Sequence, residues 1–380
     1  LMKNRGNGQI SGLVFGIYEL LLCLYIIITP IINSIKDYTF AGYGAHIWIT
    51  LLILVFTILI LLQPNSKLKN RYNSLLVFIV FAFELLIESG SIVDVLPILL
   101  YCAFLCIPSG ISKKKIYSSV YISAIVGAAF SAFAGYTAAG VERTATLVDG
   151  SLAVIAIIVV FWAEEDFDKT VVYSALKILG FITAIVVAGF GMSRARLSII
   201  AVLAILKLFM SNRKFLSSGR ISLEGIFVVI ILVAAGIGIA NLAVTRELFD
   251  AISERFSSGF ESVGRDDELR EGLRLIRKNP IMGAGWGEIK FKDSLYYNVS
   301  YYNHNMYIAI LARGGIIAGA AFLASFLSLI KAALRKKQAL PIIAIATLFV
   351  LGYGNAGIFN YTICGMLILI MTGLNNSTKK

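Results

Sequence analysis

Residues 49–62 read ITLLILVFTILILL, an uninterrupted apolar run whose only polar groups are the hydroxyls of Thr50 and Thr57. A strand half-buried in a sheet or barrel would alternate apolar and polar positions, and this run does not. It reads as a helix apolar on every side, which only a membrane or a large protein interior accommodates. Similar runs recur from residue 12 almost to the C-terminus of the 380-residue chain. With 58% hydrophobic and 15% charged residues and a mean hydropathy of +0.84, the composition is far from that of a soluble domain. The fold class is therefore an all-α polytopic membrane protein. A transmembrane barrel, which needs roughly ten-residue alternating segments, is excluded.

Apolar runs place spans near 12–33, 45–63, 74–90, 91–108, 118–138, 148–163, 170–190, 197–211, 222–244, 305–333, 339–354 and 361–374. That makes about twelve transmembrane helices in one integral membrane domain, 1–380, with both termini on the same side. Lys3, Arg5, Lys67, Lys69, Arg71, Lys113 to Lys115, Arg213, Lys214, Arg220, Arg335 to Lys337, Lys379 and Lys380 fall in alternate connections. The positive-inside rule makes those connections, and both termini, cytoplasmic. The first apolar run follows Lys3 and Arg5, but it is longer than a signal-peptide core and shows no small-residue cleavage site.

The net charge of +12 partly reflects this topology and implies no nucleic-acid partner. Cys23, Cys102, Cys106 and Cys364 lie inside apolar segments and predict no disulfide. With only His46 and His304 available, the usual zinc spacings cannot be assembled, and neither a metal nor a cofactor is expected. Asp166 and Asp168 form a DxD in EEDFDKT, but on the cytoplasmic side in a short charged connection, where a solvated loop explains them. Glu19, Glu84, Glu88 and Asp94 lie in or near spans, where carboxylates snorkel, bind sugar hydroxyls or relay protons. His46, in GYGAHIW, reads as an interfacial residue.

A second group of cations lies on the outer side. Arg143, then Arg194 and Arg196 in GMSRARLS, precede a large extracytoplasmic loop at 245–304. Within it, Leu248, Ile252, Phe256 and Phe260 recur one turn apart and predict an amphipathic helix. GRDDELREGLRLIRKNP predicts a second, with Leu269, Leu273 and Ile276 on one face and Arg270, Arg274 and Arg277 on another. Asp266 or Asp267 would cap its start, and Asn279-Pro280 ends it. Arg265 stands just ahead of it. These arginines suit either a bound anion or lipid phosphates reached by snorkelling.

Then comes NPIMGAGWG, whose Gly283, Gly285 and Gly287 permit a tight turn or a close backbone approach to a ligand, with no βαβ unit to make it a nucleotide fold. Tyr296, Tyr297, Tyr301 and Tyr302 follow, suited to stacking on sugars or to an interfacial aromatic belt. The loop closes with NHNMYIAILARGG, residues 303–315, where His304 meets the start of a span.

The order SRAR, large outer loop, NPIMGAGWG, NHNMYIAILARGG resembles the O-antigen polymerase and ligase superfamily, bacterial membrane glycosyltransferases acting on undecaprenyl-diphosphate-linked glycans. The resemblance implies that His304 is the general base toward an acceptor sugar hydroxyl. It implies that Arg194, with Arg196 nearby, holds the lipid diphosphate. Arg143 matches the family's earlier outer arginine loosely, since Asp149-Gly150 stands where a Pro-Asn pair is common. Arg313 occupies a position after HNxY that is often Glu in relatives. Arg265, Arg270, Arg274, Tyr307 and Gly285 complete the expected substrate-binding set.

The chemistry is consistent with that resemblance. Departure of a diphosphate concentrates negative charge, and each preorganised donor aimed at it lowers the barrier by roughly 3 kcal/mol. Arginine does this without a metal at any working pH. A free imidazole titrates near about 6.5, close to what a general base requires.

The expected activity is a metal-independent, inverting polymerisation of lipid-linked repeat units into O-antigen, capsular or exopolysaccharide on the outer face of the bacterial inner membrane. Expected partners are the donor and acceptor undecaprenyl-diphosphate glycans, membrane lipids and a chain-length regulator. The missing Pro-Asn pair and the HNMYIAILARGGIIAG passage favour a polymerase over a ligase acting on lipid A core. A lipid-linked sugar flippase remains the alternative of another class, and a peptidoglycan polymerase is disfavoured because its acidic catalytic motif is not found.

Overall fold

The computed structural model describes residues 3–34, 39–40, 43–62, 92–137, 148–163, 171–191, 194–218, 265–285, 304–354 and 357–375. These form α1 (Lys3–Ile28), α2 (Ala45–Leu61), α3 (Ile92–Leu105), α4 (Lys113–Thr137), α5 (Ser151–Trp162), α6 (Val171–Gly191) and α7 (Arg194–Ser218). There follow α8 (Arg265–Lys278), α9 (Met306–Lys336), α10 (Ala339–Gly354), α11 (Tyr361–Cys364) and α12 (Met366–Asn375). The described residues are helical apart from short turns and one minimal pairing, Thr39–Phe40 with Tyr43–Gly44.

Among the described residues, four helices are long and apolar enough to cross a membrane: Gly12–Ile32, Lys113–Ala132, Val171–Phe190 and Met306–Lys336. Five apolar helices are shorter, and here the structure refines the expected spans. The run 148–163 becomes Ser151–Trp162, about 18 Å at 1.5 Å per residue and buried on nearly every side. The run 361–374 divides at Gly365 into α11 and α12. In both cases continuous apolarity reflects burial among other helices as well as length. The expected spans at 74–90 and 222–244 and the amphipathic helix at 246–260 lie outside the described residues.

The core unites α1, α3, α4, α5, α9, α10 and α12 around Tyr18, Tyr25, Tyr101 and Phe104, all fully buried. The hydroxyls of these three tyrosines find partners within the protein, as a medium without water demands. Tyr25 donates to the Tyr361 carbonyl at 2.8 Å, and Tyr101 shares a proton with Ser325 at 2.6 Å. Glu19, one of the candidate functional carboxylates, is buried and accepts from the Ser112 N–H and from Lys115, joining α1 to the start of α4. Lys207 interrupts the apolar run of α7 and donates to the Phe161 carbonyl at 2.6 Å, satisfying the last turn of α5. Glu84 and Glu88 lie outside the described residues. His46 packs edge-on against Tyr361 with ring centres 5.2 Å apart, in keeping with a packing role.

Candidate active site

Asn305 explains why α9 begins where it does. Its side chain accepts from the Tyr307 and Ile308 N–H groups at 3.0 and 3.2 Å, which caps the helix. His304 is thereby held immediately ahead of the first turn.

Across from it, on α8, stands Glu268. One carboxylate oxygen accepts the His304 backbone N–H at 3.0 Å, and both lie 2.9 Å from His304 Nδ1. A carboxylate at that distance retains the proton on Nδ1, so the neutral ring carries its lone pair on Nε2. The imidazole is 42% exposed and Glu268 only 17%, the arrangement of a reactive ring with a recessed orienting group.

A lock between α8 and α9 fixes this geometry. After Lys278, as Asn279-Pro280 predicts, the helix stops and residues 279–285 turn against α9. The Ala284 and Gly285 N–H groups donate to the Ala312 and Arg313 carbonyls at 2.8 Å each. In return, the Ile316 and Ile317 N–H groups donate to the Pro280 and Ile281 carbonyls at 2.9 and 3.4 Å. Gly315 (φ 61°, ψ −164°) breaks the helix there, so the turn receives groups that an unbroken ladder would have used. The approach is too close for side chains: a Cβ on Gly283 would sit 2.1 Å from the Arg313 oxygen, and one on Gly315 would sit 2.2 Å from the Ile281 oxygen. The glycine-rich segment therefore approaches backbone, and Gly285, expected to bind substrate, is part of this lock.

The remaining expected residues divide. Tyr307 donates its hydroxyl to the Phe349 carbonyl at 2.7 Å and packs on that ring, so it joins α9 to α10. Arg274 forms a paired contact with buried Glu271, and Arg270 points outward beside Asp267 at 3.7 Å. Helix α8 already includes Arg265, so Asp266 and Asp267 fall in its first turn, where acidic groups oppose the helix dipole, instead of capping it. Glu271, Gly272 and Leu275 are buried and Glu268 is half-buried, whereas Leu269 and Leu273 are exposed. Arg143 lies outside the described residues.

Arg196 is occupied. Its guanidinium lies 2.7 Å from Asp149, and both side chains are nearly buried. Asp149 also accepts the Ser151 N–H at 2.9 Å, takes a side-chain bond from Asn360, and donates its own N–H to the Pro30 carbonyl at 2.7 Å. Burial by itself raises the Asp149 carboxyl, but Arg196, Ser151 and Asn360 outweigh it and hold the pKa below its ordinary value. Arg196 thus clasps α7 to the start of α5. Arg194, the first residue of α7, lies two positions before the clasp.

Clasp and histidine share one end of the bundle. The turn Gly357–Phe359 lies between them, with Met306 packed against Gly357 on one side and Asn360 reaching Asp149 on the other. Glu268 and Asn360 are the residues that sequence reading misses. Glu268 sits among other acidic residues 36 positions from its partner, and the signal for Asn360 is only that Asn is a good helix cap.

The apolar helices mark an integral membrane protein, and a histidine paired with a carboxylate stands at one end of its bundle. Residues 173–323 match the family described as O-Antigen ligase, a match that supports the O-antigen ligase and polymerase superfamily. No curated protein matches the chain. The matched segment contains Arg194, Glu268, the interlocked glycines and His304, and excludes Asp149 and Asn360.

Proposed function

We propose that the chain is a membrane glycosyltransferase that joins undecaprenyl-diphosphate-linked glycans on the extracytoplasmic face of the bacterial inner membrane. The family match supports a membrane enzyme of the O-antigen ligase and polymerase type. The Glu268–His304 pair is the observation that carries the mechanism. His304 Nε2 accepts the proton of an acceptor sugar hydroxyl as that oxygen attacks the anomeric carbon of the donor. The bond from that carbon to the diphosphate breaks, and its electron pair leaves on the lipid diphosphate. The imidazolium so formed is stabilised by Glu268. Attack from the face opposite the leaving group inverts the anomeric centre. Arg194 is the arginine that meets the diphosphate charge, with Arg143 a second candidate, and no metal is needed.

Polymerisation is the favoured reaction, on the missing Pro-Asn pair and the HNMYIAILARGG text; a chain-length regulator is the partner it calls for. Ligation to lipid A core is the second reading, favoured by the description of the matched family.

Single turnover with purified protein and lipid-linked repeat units tests the proposal. Wild type lengthens the glycan in the presence of chelator, and His304→Ala and Arg194→Ala each lose about 10²-fold or more. Transfer seen only when lipid A core is supplied establishes the ligase. Transbilayer movement of labelled lipid without any transfer overturns both.

A further inference from the structure

We propose that α8 is seated on the bilayer, with Leu269, Leu273 and Ile281 in the boundary between headgroups and acyl chains and Arg270 and Arg277 at the level of the lipid phosphates. The depth follows from α9. Between the break at Gly315 and the basic last turn at Arg335 and Lys336, Ile316–Leu334 measures about 28 Å at 1.5 Å per residue, close to the ~30 Å thickness of a hydrocarbon core. The break therefore lies at the membrane boundary opposite the basic end. The 279–285 turn is hydrogen-bonded to that break, so α8 leaves α9 at the same level.

The surface of α8 suits that depth. Its protein-facing side carries Glu268, Glu271, Gly272 and Leu275. At 100° per residue, Leu269 and Leu273 lie together on one flank and Arg270 and Arg277 on the side opposite the buried face. The two leucines are exposed, and Arg270 is 79% exposed. Ile281, 62% exposed, accepts the backbone N–H of exposed Ile317, and Ile316 beside it is 60% exposed. The apolar strip of α8 thus continues into the lipid-facing side of a membrane-spanning helix. Cations next to such a strip complement anionic headgroups. This seat is independent of the proposed reaction, but it carries Glu268, and with it His304, to headgroup depth.

Site-directed spin labelling of the full chain tests it, in vesicles of phosphatidylethanolamine and phosphatidylglycerol. Labels replace Leu269, Leu273, Arg270 or Arg277 one at a time, and unsubstituted protein controls for the native thiols. Labels at 269 and 273 should relax preferentially with membrane-soluble oxygen, and labels at 270 and 277 with a water-soluble nickel chelate. Arg270→Glu with Arg277→Glu should weaken the oxygen preference at 273, while Glu271, buried against the protein, remains unaltered. Nickel access at all four positions would place α8 in water and overturn the proposal. Protection of 269 and 273 from both reagents would mean that protein covers the strip, and would overturn it equally. None of these readings requires a transfer assay.

Discussion

In the proposed reaction, a single proton position at His304 decides the chemistry. Glu268→Gln keeps the side-chain shape, but its amide can present either an oxygen or an NH₂ group to Nδ1 and supplies no charge to the imidazolium. We expect about a 10²-fold loss or more in turnover with little change in thermal stability, read from transfer kinetics beside an unfolding scan. Asp149→Asn should do the reverse. It leaves the buried Arg196 guanidinium without a counter-charge and should cost roughly 3 kcal/mol of stability, much of it recovered when Arg196→Gln is added. Because the Asp149 pKa is lowered on folding, the unfolded chain takes up the proton first. The stabilisation is complete above a pH of about 3.9 and is lost as pH falls through the lower folded value. Unfolding midpoints of wild type and Asp149→Asn should therefore converge only in that acid range. His304 was legible because histidine is rare here and this one stands at a loop-to-helix junction. Glu268 was not, because pairing across 36 residues depends on how α8 docks, and the arginine beside it drew attention to the opposite face.

At the scale of elements, the periodicity of GRDDELREGLRLIRKNP identified a helix and its end, but not its buried face. The docked side is acidic and small: Glu268 pairs with His304, and Gly272 is buried. The apolar flank was left for another neighbour. The break in α9 was also hidden, because RGGIIAG reads as a small-residue stretch of an apolar helix until the turn bonded to it is seen. Gly315→Ala combines a left-handed φ with backbone overlap at Ile281. It should lower stability by about 2 kcal/mol and reduce activity by displacing α8, with Gly319→Ala, in ordinary helix and meeting only the movable end of the Leu311 side chain, as the control.

For the whole molecule, hydropathy was decisive about class and weaker about spans. Helix α5 illustrates why: it is apolar on every side, and nothing in its sequence separates a span from a short helix enclosed by α4, α6, α7 and α10. Charge patterning supplies the orientation, which predicts that cysteines placed at Lys337 and Arg277 react with impermeant reagents from opposite sides of sealed vesicles. Labelling of both from one side would remove the topology on which an extracytoplasmic reaction depends.

The hydrogen bonds between the 279–285 turn and α9 join main-chain groups, which carry no net charge for salt or pH to act on. The amides at Ala284, Gly285, Ile316 and Ile317 belong to two segments that donate to each other. In hydrogen exchange they should form one cooperative group with a shared opening rate.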